Sequence, residues 1–278
     1  MRELQVTVKH TPTIIKATER YVSEEPYKRN GGRSKKGYEL YAPDDESPQA
    51  KENKRCSISN SKSTFKGIIH ANYYYHFCML TLTFDPTCNF NIQDFITCRD
   101  KFDLFWRSLK RCEKLAEVDL RYVGAIEFQK NDNIHFHILC RIPKQYKKLL
   151  QSKWKYGGLH YEESFGKAED SPKIANYLTK GIYDERLPTG KKRFLGGYGL
   201  DRPTVIKFNT PKIIDYMVDR NGEILTQHEN EYGYKLTSLQ SDVTADELQS
   251  LAEVQDESLY IKQLTQLASI QYTHEGAF

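Results

Sequence analysis

The sequence predicts an α+β fold. Three observations carry it: an apolar strand pattern at residues 77–84, an aromatic helical repeat at 91–115, and a strand–turn–strand pattern at 121–140. Phe77-Cys78-Met79-Leu80-Thr81-Leu82-Thr83-Phe84 is apolar with alternating Thr, and Asp85-Pro86 ends it. Phe95, Phe102, Phe105, Trp106 and Leu109 then recur at helical spacing, with Asn91 placed to cap the helix. That aromatic stripe is read as core packing. Residues 121–128 and 134–140 form the two arms of a hairpin around Gln129-Lys130-Asn131-Asp132-Asn133.

The flanking elements follow from local chemistry. Residues 23–63 are rich in Pro, Gly and charge and have little periodicity, so residues 1–60 are expected to be a partly disordered lead-in. Helical spacing of Phe65, Ile68, Ile69 and Asn72 predicts a helix from Ser61 to about Tyr75. A short basic helix is expected over 144–151, and a turn and strand over 154–160. Ser171-Pro172 looks like a helix start, with Ser as N-cap and Pro in the first turn. That helix carries Ile174, Tyr177, Leu178 and Lys180 and reaches Gly181. Lys191-Lys192-Arg193, Gly196-Gly197 and Gly199 read as a basic, Gly-rich loop. Residues 204–227 fit strands or a helix equally, and Ala245 to about Leu267 reads as helical.

Composition narrows the function classes. The chain has 278 residues, 38% hydrophobic, yet 19 Tyr and 13 Phe, more aromatics than a disordered chain carries. No apolar run approaches the roughly 18 residues of a membrane span, and the N-terminus has no apolar signal core, so neither a membrane nor a secreted protein is expected. The six cysteines, at 56, 78, 88, 98, 112 and 140, include no C-x-x-C pair and are expected to be reduced. The net charge of +4 hides an asymmetry: residues 1–200 carry a net of +11 and residues 201–278 a net of −7. A basic body points to a polyanion partner.

The chemistry concentrates in two places. His135 and His137 lie two apart on a strand, so both imidazoles project from one face while Phe136 and Ile138 face the core. If the turn centres near Asn131, Glu127 lies opposite or nearly opposite His135 on that face. Two imidazoles and a carboxylate with open positions suit Mg²⁺ or Mn²⁺ working on a phosphate. A one-residue slip would turn Glu127 away. The second place is the helix, where Tyr177 and Lys180 are three apart and share a face. A phenol has a pKa near ~10, and a nearby ammonium and a polarised phosphate would favour its ionised, nucleophilic form. Tyr183, also three from Lys180, is the alternative nucleophile.

The order of these elements resembles the HUH endonuclease superfamily, specifically the rolling-circle replication initiators of small plasmids and single-stranded DNA phages. Met79-Leu80-Thr81-Leu82-Thr83-Phe84-Asp85 is similar to the first motif of that family, His135-Phe136-His137 with Glu127 to the second, and Tyr177-Leu178-Thr179-Lys180 to the third. The segment 194–203, with Gly199-Leu200 and Pro203, is similar to a stretch that follows the third motif. The resemblance covers about residues 60–205. It implies a ferredoxin-like or RRM-like central antiparallel sheet with helices on one side. It divides the chain into the lead-in (1–60), an endonuclease domain (61–205) and an acidic C-terminal extension with a helix (206–278).

The resemblance also implies a reaction. A Mg²⁺ or Mn²⁺ ion held by His135, His137 and Glu127 polarises a scissile phosphate in single-stranded DNA at a replication origin. Tyr177 attacks it, leaving a 5′-phosphotyrosine and a free 3′-OH, and Lys180 positions the site or stabilises charge. Lys153, Trp154, Lys155, Lys191, Lys192 and Arg193 are expected to contact DNA, with Lys144, Lys147, Lys148, Tyr156 and Tyr198 as further candidates. The sequence has no Walker-type phosphate loop, so a host helicase and DNA polymerase are the expected partners, in the cytoplasm of a bacterial host cell. A relaxase or transposase with the same site, or a non-catalytic single-strand-binding regulator, are the competing readings. A relaxase would place its tyrosine before the histidines; here it follows them.

Overall fold

The computed structural model describes residues 2–23, 47–165, 170–188, 191–230 and 234–253. Contacts divide the chain into two compact units: residues 33–202 form one, and residues 1–32 with 203–278 form the other. Each holds a five-stranded antiparallel sheet, so the fold is α+β.

The first two strands, β1 (Arg2–His10) and β2 (Ile15–Ser23), belong to the unit built from the chain ends. The unit of residues 33–202 holds β3 (Phe77–Thr83), β4 (Tyr122–Phe128), β5 (Ile134–Cys140), β6 (Leu159–Phe165) and β7 (Phe194–Gly196), ordered β6-β3-β5-β4-β7. The β4–β5 hairpin turns through Gln129–Asn133 as expected, with Asp132 taking the positive φ of 64° that the tight turn needs.

The two faces of this sheet pack against different helices. One face presents Val123, Ala125 and Leu139 to α1 (Pro48–Asn72) and to a later helix, α4 (Asp170–Leu178), through Phe65, Ile68, Ile69, Ile174 and Leu178. The other presents Leu80, Leu82, Ile126, Phe136 and Ile138 to α2 (Phe95–Lys110) and α3 (Lys147–Lys153), whose Phe102, Phe105, Trp106 and Leu150 complete the larger core. The expected helices on one side are thus corrected: both faces are covered, because alternation along β4 and β5 makes both faces apolar over most of their length. Two expected caps also move. Asp94, not Asn91, caps α2 by accepting from Thr97 N at 2.7 Å, while Asn91 accepts from Gln93 N. Ser171 lies inside α4, fully buried, with its hydroxyl 3.2 Å from His70 Nδ1.

The unit built from the chain ends corrects the readings of both. Residues 2–23, expected in the lead-in, form the β1–β2 hairpin, and α1 begins at Pro48, well before Ser61. The acidic extension supplies β8 (Thr204–Phe208), α5 (Lys212–Asp219), β9 (Glu223–Glu229), β10 (Lys235–Gln240) and α6 (Ala245–Ala252). The sheet order is β8-β1-β2-β10-β9, so the two ends of the chain share one sheet. Its core joins Val6, Val8, Ile15 and Ala17 to Ile206, Phe208, Ile213, Met217, Leu239 and Leu248. Residues 24–46 and 254–267, assigned above to the lead-in and to a long C-terminal helix, lie outside the described residues.

Candidate active site

The sheet puts the predicted residues in rows. Glu127 is directly opposite His135, and His135 is opposite Thr83; one row on, Ala125, His137, Thr81 and His160 run across four strands. All point to the face that α1 and α4 cover. Those helices cover the end marked by Val123 and Leu139, so the histidine rows lie where the apolar cover stops.

His137 is 8% exposed and held at both ring nitrogens. Its Nε2 lies 2.5 Å from Glu127 Oε2 and its Nδ1 lies 3.1 Å from Thr81 Oγ1. In the neutral ring, Nε2–H donates to the carboxylate and Nδ1 accepts from the Thr81 hydroxyl. His135 is half-buried. Burial lowers its pKa, and the neighbouring His137 lowers it further against the opposing pull of Glu127.

Tyr177 stands over this pair. It sits near the end of α4, and its ring meets His137 edge to face with centroids 5.9 Å apart. Burial and then the carboxylates of Glu127 and Glu162 push its pKa above the ordinary phenol value. α4 ends at Leu178, so Lys180 lies in a 3-10 turn, Thr179–Tyr183, and not on the helix itself. The tighter turn keeps Lys180 on the same side, with Nζ 5.7 Å from the Tyr177 ring centroid. Gly181 makes this possible: a Cβ there would lie 2.3 Å from Ile126 O, so only glycine lets the turn press onto β4. Tyr183 faces elsewhere, with Lys62 Nζ 4.8 Å from its ring centroid.

Ala125, Glu127, His137, Tyr177, Lys180 and Gly181 line a cleft of about 30 Å³. A water-sized guest fits that volume. The donor set suits a divalent cation: two imidazoles and a carboxylate project from adjacent positions, and Thr81 holds the His137 nitrogen that faces away from Glu127, as an orienting partner of a ligating imidazole does. As they stand, the Glu127 carboxylate is bonded to His137. Among the described residues no three His, Cys, Asp or Glu side chains are arranged to hold a metal ion.

Two of the six expected DNA contacts are corrected. Trp154 is 2% exposed; it donates Nε1–H to Thr83 O and packs on Phe84 and Phe105. Arg193 is 8% exposed and donates to the carbonyls of Ile182 and Asp184, pinning the chain after the tyrosine turn. Both serve the interior. Lys153 is half-buried, and Lys155, Lys191 and Lys192 are exposed. Lys144 pairs with Glu163, Tyr156 packs on Phe90, and Tyr198 is exposed. Sequence reasoning missed His160, exposed in the row of His137; the alternation of Leu159 and Tyr161, both buried, was the available signal.

This arrangement, a tyrosine and a lysine set against paired histidines and a carboxylate on an antiparallel sheet, falls within a recognised family span. Residues 77–183 match the model of a family described as replication-associated protein ORF2. The span runs from β3 through the 3-10 turn, so it holds every residue placed in the cleft. The match indicates a replication-associated protein and supports a role in replication initiation. No curated protein and no solved structure matched the chain. Among the described residues no helix is long and apolar enough to cross a membrane.

Proposed function

We propose that the chain initiates rolling-circle replication by nicking and rejoining single-stranded DNA at an origin, with Tyr177 as nucleophile. The observation that carries this reading is the cleft in which Tyr177 and Lys180 face the His137–Glu127 pair, inside the span matched to a replication-associated family.

The phenol oxygen of Tyr177 attacks the scissile phosphorus. The bond to the 3′-oxygen breaks, giving a 5′-phosphotyrosine and a 3′-hydroxyl, and the phenol proton leaves with the exchange. The phosphodiester energy is kept, so the reverse attack rejoins the strand. Edge packing on His137 holds the Tyr177 ring in place. Lys180 places an ammonium beside the phosphoryl oxygens as charge develops on them. His135, His137 and Glu127 are the residues to hold Mg²⁺ or Mn²⁺. Such an ion would polarise the phosphate and offset the carboxylates that keep the proton on Tyr177. Tyr183, turned toward Lys62, is left without a part in the first cut.

Covalent capture tests this. Protein is mixed with single-stranded DNA from its own replicon, with Mn²⁺, Mg²⁺ or EDTA, and run on a denaturing gel. A metal-dependent adduct mapped to Tyr177 is the expected result. Tight binding with neither adduct nor cleavage would move the reading to a non-catalytic single-strand binder.

A further inference from the structure

α1 is longer than the core requires. Its C-terminal half buries Phe65, Ile68 and Ile69, but from Lys51 to Asn60 every residue except the half-buried Ile58 is exposed. That stretch is rich in Asn and Ser, which are weak helix formers, and it has no apolar stripe for the core. Packing does not account for it.

Charge does. At about 100° per residue, Lys51, Arg55, Lys62 and Lys66 fall within one sector roughly 60° wide. With ~1.5 Å of rise per residue the stripe is about 22 Å long. The one carboxylate between residues 48 and 66, Glu52, lies off the stripe and pairs with Arg55 at 3.5 Å. The stripe ends at the tyrosine helix. Lys66 donates to Asn176 Oδ1, next to Tyr177, and Lys62 lies over the ring of Tyr183.

We infer that this stripe is a track for the sugar–phosphate backbone of the single DNA strand that Tyr177 cuts, holding the stretch beside the scissile phosphate. The inference rests on the nicking reading for the place of the cut. A single line of cations complements a single line of phosphates, and its continuity with the tyrosine helix puts single-stranded DNA there.

The test uses the full chain with Tyr177→Phe, so that binding is read without cleavage. Lys51→Gln and Arg55→Gln are added together; both residues are exposed, and far-UV circular dichroism checks that the helix persists. Affinity for a short oligo-dT strand is measured across a salt series. Each phosphate contact contributes about −0.7 to the slope of log K against log salt on single strands. Losing two should make the slope shallower by about 1.4. Parallel lines for the two proteins, or a difference seen only on duplex DNA, overturn the track. Covalent capture by the unmodified chain separates the two ideas. An adduct with parallel lines overturns the track alone, whereas a shallower slope without any adduct keeps the track and overturns the nicking.

Discussion

At the scale of single residues the proposed chemistry hangs on a few atoms. Tyr177→Phe removes one oxygen and keeps the ring on His137, so adduct formation should vanish while single-strand binding stays. Residual adduct at the original rate would disqualify Tyr177 and turn attention to Tyr183. His137→Ala strands the Thr81 hydroxyl and Glu127, at a cost of about 1–3 kcal/mol, and should end metal-dependent cleavage; a variant that cleaves normally would remove His137 from the site. The histidine strand was legible because alternation by two is a strong signal, and Glu127 followed from the hairpin register. Trp154 and Arg193 were misread for a physical reason. A tryptophan between lysines has the same sequence whether its ring stacks on a base or on Phe84 and Phe105. An arginine after two lysines has the same sequence whether it meets phosphates or carbonyls.

At the scale of elements, position depends on close approaches and caps. Gly181→Ala would force the turn carrying Lys180 away from Ile126 O. Overpacking of this kind costs about 1–3 kcal/mol; a lower denaturant midpoint and a reduced adduct yield should appear together, and an unchanged midpoint would contradict the contact. Asp94 caps α2, and the hydroxyl and backbone N–H of Thr97 hold its carboxyl below the usual carboxylate range. The folded pKa is the lower one. The cap's contribution is therefore complete above the ordinary carboxylate range and lost as pH falls through the folded value. Asp94→Ala should cost about 1 kcal/mol at neutral pH, and the gap to the unmodified chain should shrink in acid. A gap that grows in acid would reverse the assignment. The first half of α1 escaped sequence reading because a helix exposed on all sides has no hydrophobic period to detect. Its start was written only in Ser47, whose hydroxyl accepts from Ala50 N, and Pro48 at the first turn. β9 escaped for the same reason, being exposed at every position.

At the scale of the whole molecule, each unit has its own core. Among the described residues, the buried members of the two clusters around the site lie wholly within residues 65–195, and the third draws only on residues 6–17 and 206–252. A fragment of residues 47–202 should therefore unfold cooperatively and still form the tyrosine adduct; a fragment that shows no cooperative transition would contradict the independence of the cores. The pairing of β1 with β8 joins positions about two hundred residues apart. Nothing local in the sequence announces it, which is why both ends were read as extensions and the middle was not. The order of strands has one more consequence. β5, which carries both histidines, is the central strand, with ladders to β3 on one side and β4 on the other. Its amides open only when the sheet itself comes apart, whereas α4 holds Tyr177 near the last turn of a nine-residue helix. Hydrogen exchange should show a slow half and a fast half within one cleft: a histidine pair that stays rigid as long as the unit is folded, facing a tyrosine whose support can fray and re-form between cuts.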